Sequence, residues 1–444
     1  MMRIVMVGTG YVGLVSGACF SELGLDVTCV DSDKDKIDTI LDGELPIYEP
    51  GLDRLVSNNV KAGRLHFTND LSAAVIGAKV IFIAVGTPSR RGDGHADLSY
   101  VYAAAEEIAK NADEGAIIVT KSTVPVGTGS QIKKRISAIR NKELEVAANP
   151  EFLREGSAIN DFMYPDRVII GVESTRAEDI MNNVYGSLFT NETPVVMTSL
   201  ETAEMIKYAS NTFLATKITF INEFSDLCEK AGADINDVAL GIGLDDRIGS
   251  KFLNAGPGYG GSCFPKDTRA LVQTARDYES PITLVEQVIS INEQRKIDMV
   301  NKIIESCDGS VLGKKIAILG ITFKPNTDDV RDAPSLVIVP ELVKAGALIR
   351  VYDPKGMSEA HMFIDDVSWN DDPYTAIDGA DGIVILTEWD EFKSLDLDKI
   401  KQLLNTPLII DLRNMFRPDD IFKKGFDYVS IGRSSVYGAN KKNS

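Results

Sequence analysis

Gly260-Gly261-Ser262-Cys263-Phe264-Pro265-Lys266-Asp267 places one cysteine on a glycine turn, with a lysine and a carboxylate three and four residues further on. That combination suits a nucleophile. A thiol becomes reactive as its thiolate, which a nearby cation favours, and glycines let a substrate come close to the sulfur. The plain alternative is a cysteine that only fills space in a core.

A second chemical pattern opens the chain. The β-branched run Arg3–Val7 leads into Gly8-Thr9-Gly10-Tyr11-Val12-Gly13 and then a helix-compatible stretch, Leu14–Leu23. Strand, glycine turn and helix in this order form a dinucleotide fingerprint, with the pyrophosphate at the helix N-terminus. Leu25–Asp31 reads as the next strand, ending in an acid 18 residues beyond Gly13. A carboxylate there accepts from ribose hydroxyls and repels a 2′-phosphate, so NAD is expected over NADP. Ile4–Phe20 is uncharged, which suits a signal segment, but its glycines and shortness argue against a secretory or spanning helix.

The elements that must position these groups follow from the rest of the chain. Its 444 residues, 44% hydrophobic and 25% charged, suit two or three soluble domains. A net charge of −18 speaks against nucleic acid or an anionic membrane as partner. Five scattered cysteines and three histidines lack ligand spacing, so reduced thiols in a cytoplasm and no metal are expected. Lys315–Gly320 echoes the first strand and Ala347–Asp353 the second, again ending in Asp. Gly379–Leu386 matches Gly77–Ala84, and Leu408–Asp411 matches Ala116–Val119. The fold class is therefore α/β: two doubly wound Rossmann-like domains, with mainly parallel sheets, joined by a long central helix. The second copy lacks the glycine fingerprint and should bind something other than a dinucleotide pyrophosphate. The central helix starts at a capping box, Thr198-Ser199-Leu200-Glu201, and runs to Gly232. Lys207 and Asn211 lie one turn apart on it, either as a working pair or as part of a solvated face. The expected segments are 1–197 (NAD-binding), 198–305 (central, helical, with the cysteine), 306–437 (the second Rossmann-like domain) and a frayed tail, 438–444.

Taken in chain order, these motifs resemble the nucleotide-sugar 6-dehydrogenases. The likeness extends to Pro46–Leu52, Lys121–Thr128, Asn149–Gly156, Lys207–Asn211, and Phe323-Lys324-Pro325 followed by Arg331. It implies a first domain for NAD, a last domain for the nucleotide of the sugar, and homodimers or larger assemblies formed through the central helices. The implied chemistry oxidises a C6 alcohol to a carboxylate in two hydride transfers. Cys263 forms a thiohemiacetal and then a thioester, Lys207 and Asn211 stabilise an oxyanion, Asp267 moves protons through water near Thr123, and Glu151 assists hydrolysis. The resemblance further implies NAD contacts at Gly8, Gly10, Tyr11, Val12, Gly13, Asp31, Lys36, Thr87, Thr123, Glu155, Lys266 and Arg331. For the sugar nucleotide it implies Glu151, Phe152, Leu153, Arg154, Glu155, Lys207, Asn211, Phe252, Leu253, Asn254, Ala255, Gly256, Gly260, Lys324 and Arg413. Arg247 is expected to reach the neighbouring subunit's substrate.

Phe264 and the Pro46–Leu52 spelling lean to the branch acting on UDP-glucose rather than GDP-mannose. Ser262 stands where the N-acetylated hexosamine branch carries histidine. A non-catalytic NAD-binding regulatory protein is the reading from another class. Cys263, Lys207, Asn211 and Asp267 together argue against it.

Overall fold

The computed structural model describes residues 2–90, 92–140, 144–189 and 193–437. The expected tail, 438–444, lies outside them. Two compact units emerge: Met1–Ser210 with Arg269–Pro281, and Asn211–Thr268 with Ile282–Ser444. The expected central segment, 198–305, is thus shared between them.

The first unit is built on eight strands: β1 (Arg3–Val7), β2 (Asp26–Val30), β3 (Leu65–Thr68), β4 (Val80–Ile83), β5 (Ile117–Thr120), β6 (Glu145–Ala148), β7 (Val168–Gly171) and β8 (Val195–Thr198). They lie in the order β3-β2-β1-β4-β5-β6-β7-β8, parallel except at the β6–β7 junction, where Ala148 faces Gly171. Nearly continuous apolar runs are what a sheet covered on both faces needs. Ile4, Met6, Val80 and Phe82 enter one core layer, and Val5, Val7, Ile81 and Ile83 the other.

The second unit repeats the plan with β9 (Lys315–Leu319), β10 (Leu348–Tyr352), β11 (Ser368–Trp369), β12 (Gly382–Ile385), β13 (Leu408–Asp411) and β14 (Asp427–Ser430). The order is β11-β10-β9-β12-β13-β14, all parallel. The repeat read from the sequence is therefore a repeat of topology. Ile316 and Ile318 face one layer, and Ala317 and Leu319 the other.

The central helix spans Leu200–Ala231, 32 residues. Its start corrects the expected capping box by one residue. Thr198 is committed to the sheet as the last residue of β8, so Ser199 is the cap and its Oγ accepts the Thr202 N–H at 3.2 Å. Glu201 then falls one position short of the reciprocal bond and takes the Ser130 hydroxyl instead, at 2.7 Å. The solvated-face reading of Lys207 and Asn211 also fails: both side chains are buried.

One polar node sits inside the first unit. Lys121 follows β5, is buried, and donates to Asn149 Oδ1 at 3.1 Å and to the Tyr185 hydroxyl at 3.3 Å. Tyr185 donates to the same Asn149 oxygen. Burial pushes the lysine from its ordinary 10.5 down to about 8; Glu151 opposes this and Lys207 adds to it.

Two expectations follow from this packing. A Cβ on Gly13 would lie 1.9 Å from the Gly8 carbonyl oxygen, so Gly13→Ala should lose upwards of about 3 kcal/mol in urea unfolding and weaken NAD binding. Between pH 8 and 10.5 the unfolded chain holds a proton on Lys121 that the folded protein has released. Stability from this group therefore rises with pH across that window, by up to roughly 3 kcal/mol. Lys121→Met leaves Asn149 and Tyr185 paired with each other, so its unfolding free energy should lack that rise; an unchanged pH slope would contradict the assignment.

Candidate active site

The nucleotide cradle belongs to the first unit. The helix Tyr11–Glu22 begins directly after Gly10, which has no side-chain cap, so its first amides remain for an anion. Around a Cβ built on Gly10 there is open space, which is where a pyrophosphate must approach. Asp31 follows β2. Its Oδ2 accepts the Thr9 N–H at 2.9 Å and the Thr9 hydroxyl at 2.8 Å, and Lys36 Nζ stands 3.4 Å away. Burial works against the charge, but the Thr9 and Asp33 bonds and the Lys36 cation hold the carboxyl below its usual range. A charged acceptor at this strand end fits the adenosine ribose of NAD. Thr87 donates to the Thr123 carbonyl at 3.0 Å, tying two expected cofactor contacts to each other.

The Asn149–Gly156 segment is held by a residue that the sequence reading did not place in the site. Glu49 is buried, accepts the Tyr11 hydroxyl, and takes the Gly156 and Ala158 N–H groups at 2.6 and 2.7 Å. Burial and then this carboxylate raise the Tyr11 phenol, with the Glu155 charge adding to it. Within the segment, Lys207 Nζ lies 3.1 Å from Glu151 Oε1 and 5.1 Å from the centre of the Phe152 ring. The other Glu151 oxygen accepts the Leu153 N–H. Arg154 instead turns to Asp161 as a bidentate pair.

The cysteine loop belongs to the second unit. Cys263 is half-buried, whereas Cys19, Cys29, Cys228 and Cys307 are buried. Gly261, at φ +84°, has no room for a side chain: a Cβ would meet the Phe323 ring at 2.8 Å. Its N–H donates to the Arg331 carbonyl at 2.8 Å. A Cβ on Gly260 would lie 2.5 Å from the Asp332 carbonyl oxygen. The cysteine turn is thus seated on the Phe323–Arg331 motif, some sixty residues away in sequence. After the turn a helix, Phe264–Asp277, begins. Asp267 in its first turn is 1% exposed and fully engaged: Asn211 Nδ2 donates to Oδ2 and Lys266 Nζ to Oδ1, both at 2.6 Å.

Residues 252–260 are fixed from two helices. Asn222 on the central helix accepts the Gly256 N–H at 2.8 Å. Asn292 and Arg295, on the helix Thr283–Ser306, hold the backbone of Tyr259 and Gly256. Phe252 carries a left-handed φ of 65°, an unusual state for a bulky residue. Leu253 and Ala255 are buried, and Asn254 is exposed. Asn222 and Asn211 are eleven residues apart and so share a helix face, the one signal that could have pointed to Asn222. Asn292 and Arg295, spaced i and i+3, gave no more than a polar stripe.

At the end of β9 the second copy reproduces the first. Gly320 N–H donates to Tyr352 O as Gly8 does to Val30 O, and Ile321 N–H donates to Asp353 as Thr9 does to Asp31. The difference is saturation. Asp353 is 1% exposed and also takes the Thr322, Lys355 and Gly356 amides and the Trp389 indole. Lys324 stands 5.2 Å from the Phe323 ring centre, and Arg413 donates to the Leu386 and Phe323 carbonyls at 2.7 and 2.9 Å. Arg331 pairs with the buried Asp329. Arg247 is 89% exposed and chelated by its neighbour Asp245.

Three family models match the chain, each described as part of the UDP-glucose/GDP-mannose dehydrogenase family: the NAD binding domain over residues 2–189, the central domain over 201–294 and the UDP binding domain over 317–418. The chain is 57% identical over 435 residues to a UDP-glucose 6-dehydrogenase of Rhizobium meliloti, covering 97% of this chain and 100% of the relative. It is 48% identical to the UDP-glucose 6-dehydrogenase TuaD of Bacillus subtilis, over 99% and 95% of the two chains. Among solved structures it matches a UDP-glucose dehydrogenase of Pyrobaculum islandicum with a TM-score of 0.88 at 34% identity, covering 98% of both. With NAD-binding, central and UDP-binding segments all matched, and with near-complete coverage by relatives of this identity, the chain belongs to the UDP-glucose/GDP-mannose dehydrogenase family.

Proposed function

We propose that the protein oxidises UDP-glucose to UDP-glucuronate with NAD, through a covalent intermediate on Cys263. The observation that carries this reading is the half-buried Cys263 on its closed glycine turn, with Asn211 and Asp267 bonded to each other at the start of the following helix. Similarity to UDP-glucose 6-dehydrogenases over nearly the whole chain supports the substrate. The segments 1–197, 198–305 and 306–437 are proposed as the NAD, central and UDP-sugar parts, since each contains one matched family segment. Five free cysteines, and no helix among the described residues long and apolar enough to cross a membrane, support a cytoplasmic enzyme.

Bound NAD would supply the hydride acceptor for each oxidation. The cradle of Gly8, Gly10, Gly13 and Asp31 binds and orients it, with Tyr11, Val12, Lys36, Thr87, Thr123, Glu155, Lys266 and Arg331 as further contacts. Once the C6 alcohol is an aldehyde, the Cys263 sulfur adds to its carbon and the oxygen takes a proton, giving a thiohemiacetal. Loss of a second hydride from the carbon, with the hydroxyl proton passing to the relay, leaves a thioester, and water displaces the thiol to release the acid. Lys207 and Asn211 stabilise the oxyanions; Lys207, held by Glu151, is a fixed cation for this purpose. Asp267, with Thr123, relays protons, and Glu151 assists hydrolysis. Phe152, Leu153, Arg154, Phe252–Gly256, Gly260, Lys324 and Arg413 are proposed to contact the sugar nucleotide.

Self-association is proposed as well. Phe213, Phe220, Phe224 and Leu227 expose an apolar stripe on the second unit's part of the central helix, and Arg247 projects outward. Such a stripe suits a second copy of the same chain.

In a panel of nucleotide sugars with NAD, UDP-glucose should give the fastest NADH formation; faster turnover of GDP-mannose would move the enzyme to the sister branch. Cys263→Ser should abolish acid formation, and Lys207→Ala should lower kcat by about a hundredfold or more. Acid made by the serine variant at the wild-type rate would end the covalent mechanism. Sedimentation should show a dimer, and mixing Arg247→Ala with Cys263→Ser subunits should restore part of the activity. Failure to do so despite subunit exchange would remove Arg247 from a shared site.

A further inference from the structure

Glu204 lies on the central helix one turn before Lys207 and is 3% exposed. Its Oε2 accepts the Gly127 N–H and its Oε1 the Gly129 N–H, both at 2.7 Å. The Thr128 amide faces it too. These amides open the helix Thr128–Ile139, whose N-cap, Gly127, offers no side chain. Glu204 therefore caps one helix from another, where a negative charge is favoured. Thr123, Glu204 and Lys207 line the same small cavity.

We propose that Glu204 is a positioning residue, whose carboxylate clamps the Thr123–Gly129 loop to the stretch of helix that carries Lys207. This rests on Thr123 and Lys207 acting as stated under the proposed function. Both oxygens are needed as acceptors, so the clamp works in the ionised form. Burial pushes the carboxyl up to about 7, against the pull of the three amides, and Glu201 on the same helix adds to the rise. Lys207 is the other charged group on its own helix face, Tyr102 on the helix Ser99–Asn111 feels its charge, and the capped helix presents backbone amides. A neutral side chain with a single acceptor oxygen would leave one of these N–H groups without its partner, and the loop should loosen.

Amide exchange in the 123–129 segment tests this without depending on turnover. In the wild type, the 123–129 amides should be protected like those of the neighbouring sheet. In Glu204→Gln that protection should be low, with exchange at least about tenfold faster at pH 8. The same variant should lose at least about tenfold in kcat while both KM values stay within about threefold, and Glu204→Asp should recover part of the loss. Unchanged exchange in the variant overturns the clamp. Loosened exchange with wild-type kcat overturns its positioning role. If the wild type does not oxidise UDP-glucose, the functional reading fails, while the exchange data still judge the clamp. Should Glu204→Gln not fold, Glu204→Asp, whose carboxylate is one methylene short of the Gly127 and Gly129 amides, should show faster exchange in the segment, and wild-type exchange there overturns the clamp.

Discussion

Polar groups buried in a helix must find partners, and the central helix carries a series of them: Glu204, Lys207, Asn211 and Asn222. Each is matched to a group on another element: backbone amides, the Glu151 carboxylate, the Asp267 carboxylate and the Gly256 N–H respectively. A buried donor or acceptor left unpaired forfeits its hydration with no return. Within each unit, its stretch of the helix therefore cannot rotate or slide without stranding its buried groups together. That constraint gives fixed rotamers to the side chains proposed to take part in the chemistry, which packing of apolar residues alone specifies less sharply.

The duplicated α/β plan shows how one backbone solution serves two ends. Both copies turn after the first strand on a left-handed glycine and bond the next amide to an aspartate at the end of the second strand. In the first copy the carboxylate remains accessible and the helix start is bare. In the second, five further donors close over the aspartate and it becomes a structural bracket. Divergence has acted on the donors around a retained acid.

Much of this was legible in the chain. Four strands of each sheet, their paired echoes and the single long helix are written in apolar runs and in the absence of Gly and Pro between 198 and 232. Cys263, Lys207, Asn211 and Asp267 could be named because their types are chemically distinctive and their motifs ordered. Glu49, Glu204, Asn292 and Arg295 could not be placed. Each works by bonding to the backbone or side chain of a segment far along the chain, and a lone polar residue carries no mark of such a partner. The shifted cap at Ser199 has the same origin: whether Thr198 ends a strand or starts a helix depends on its neighbour across the sheet.

The distribution of sulfur carries a consequence of its own. Cys19 and Cys29 lie in the first core, with thiols pushed up to about 12 by burial, and Cys228 and Cys307 line the second. Thiols that neither ionise nor meet solvent react slowly with peroxide. The half-buried loop sulfur is thereby the thiol an oxidant reaches first, and with Cys263 acting as proposed, activity would be lost while the sheets stay intact. A chain silenced in this way keeps its shape, and a reductant acting at a single sulfenic acid returns it to service without refolding.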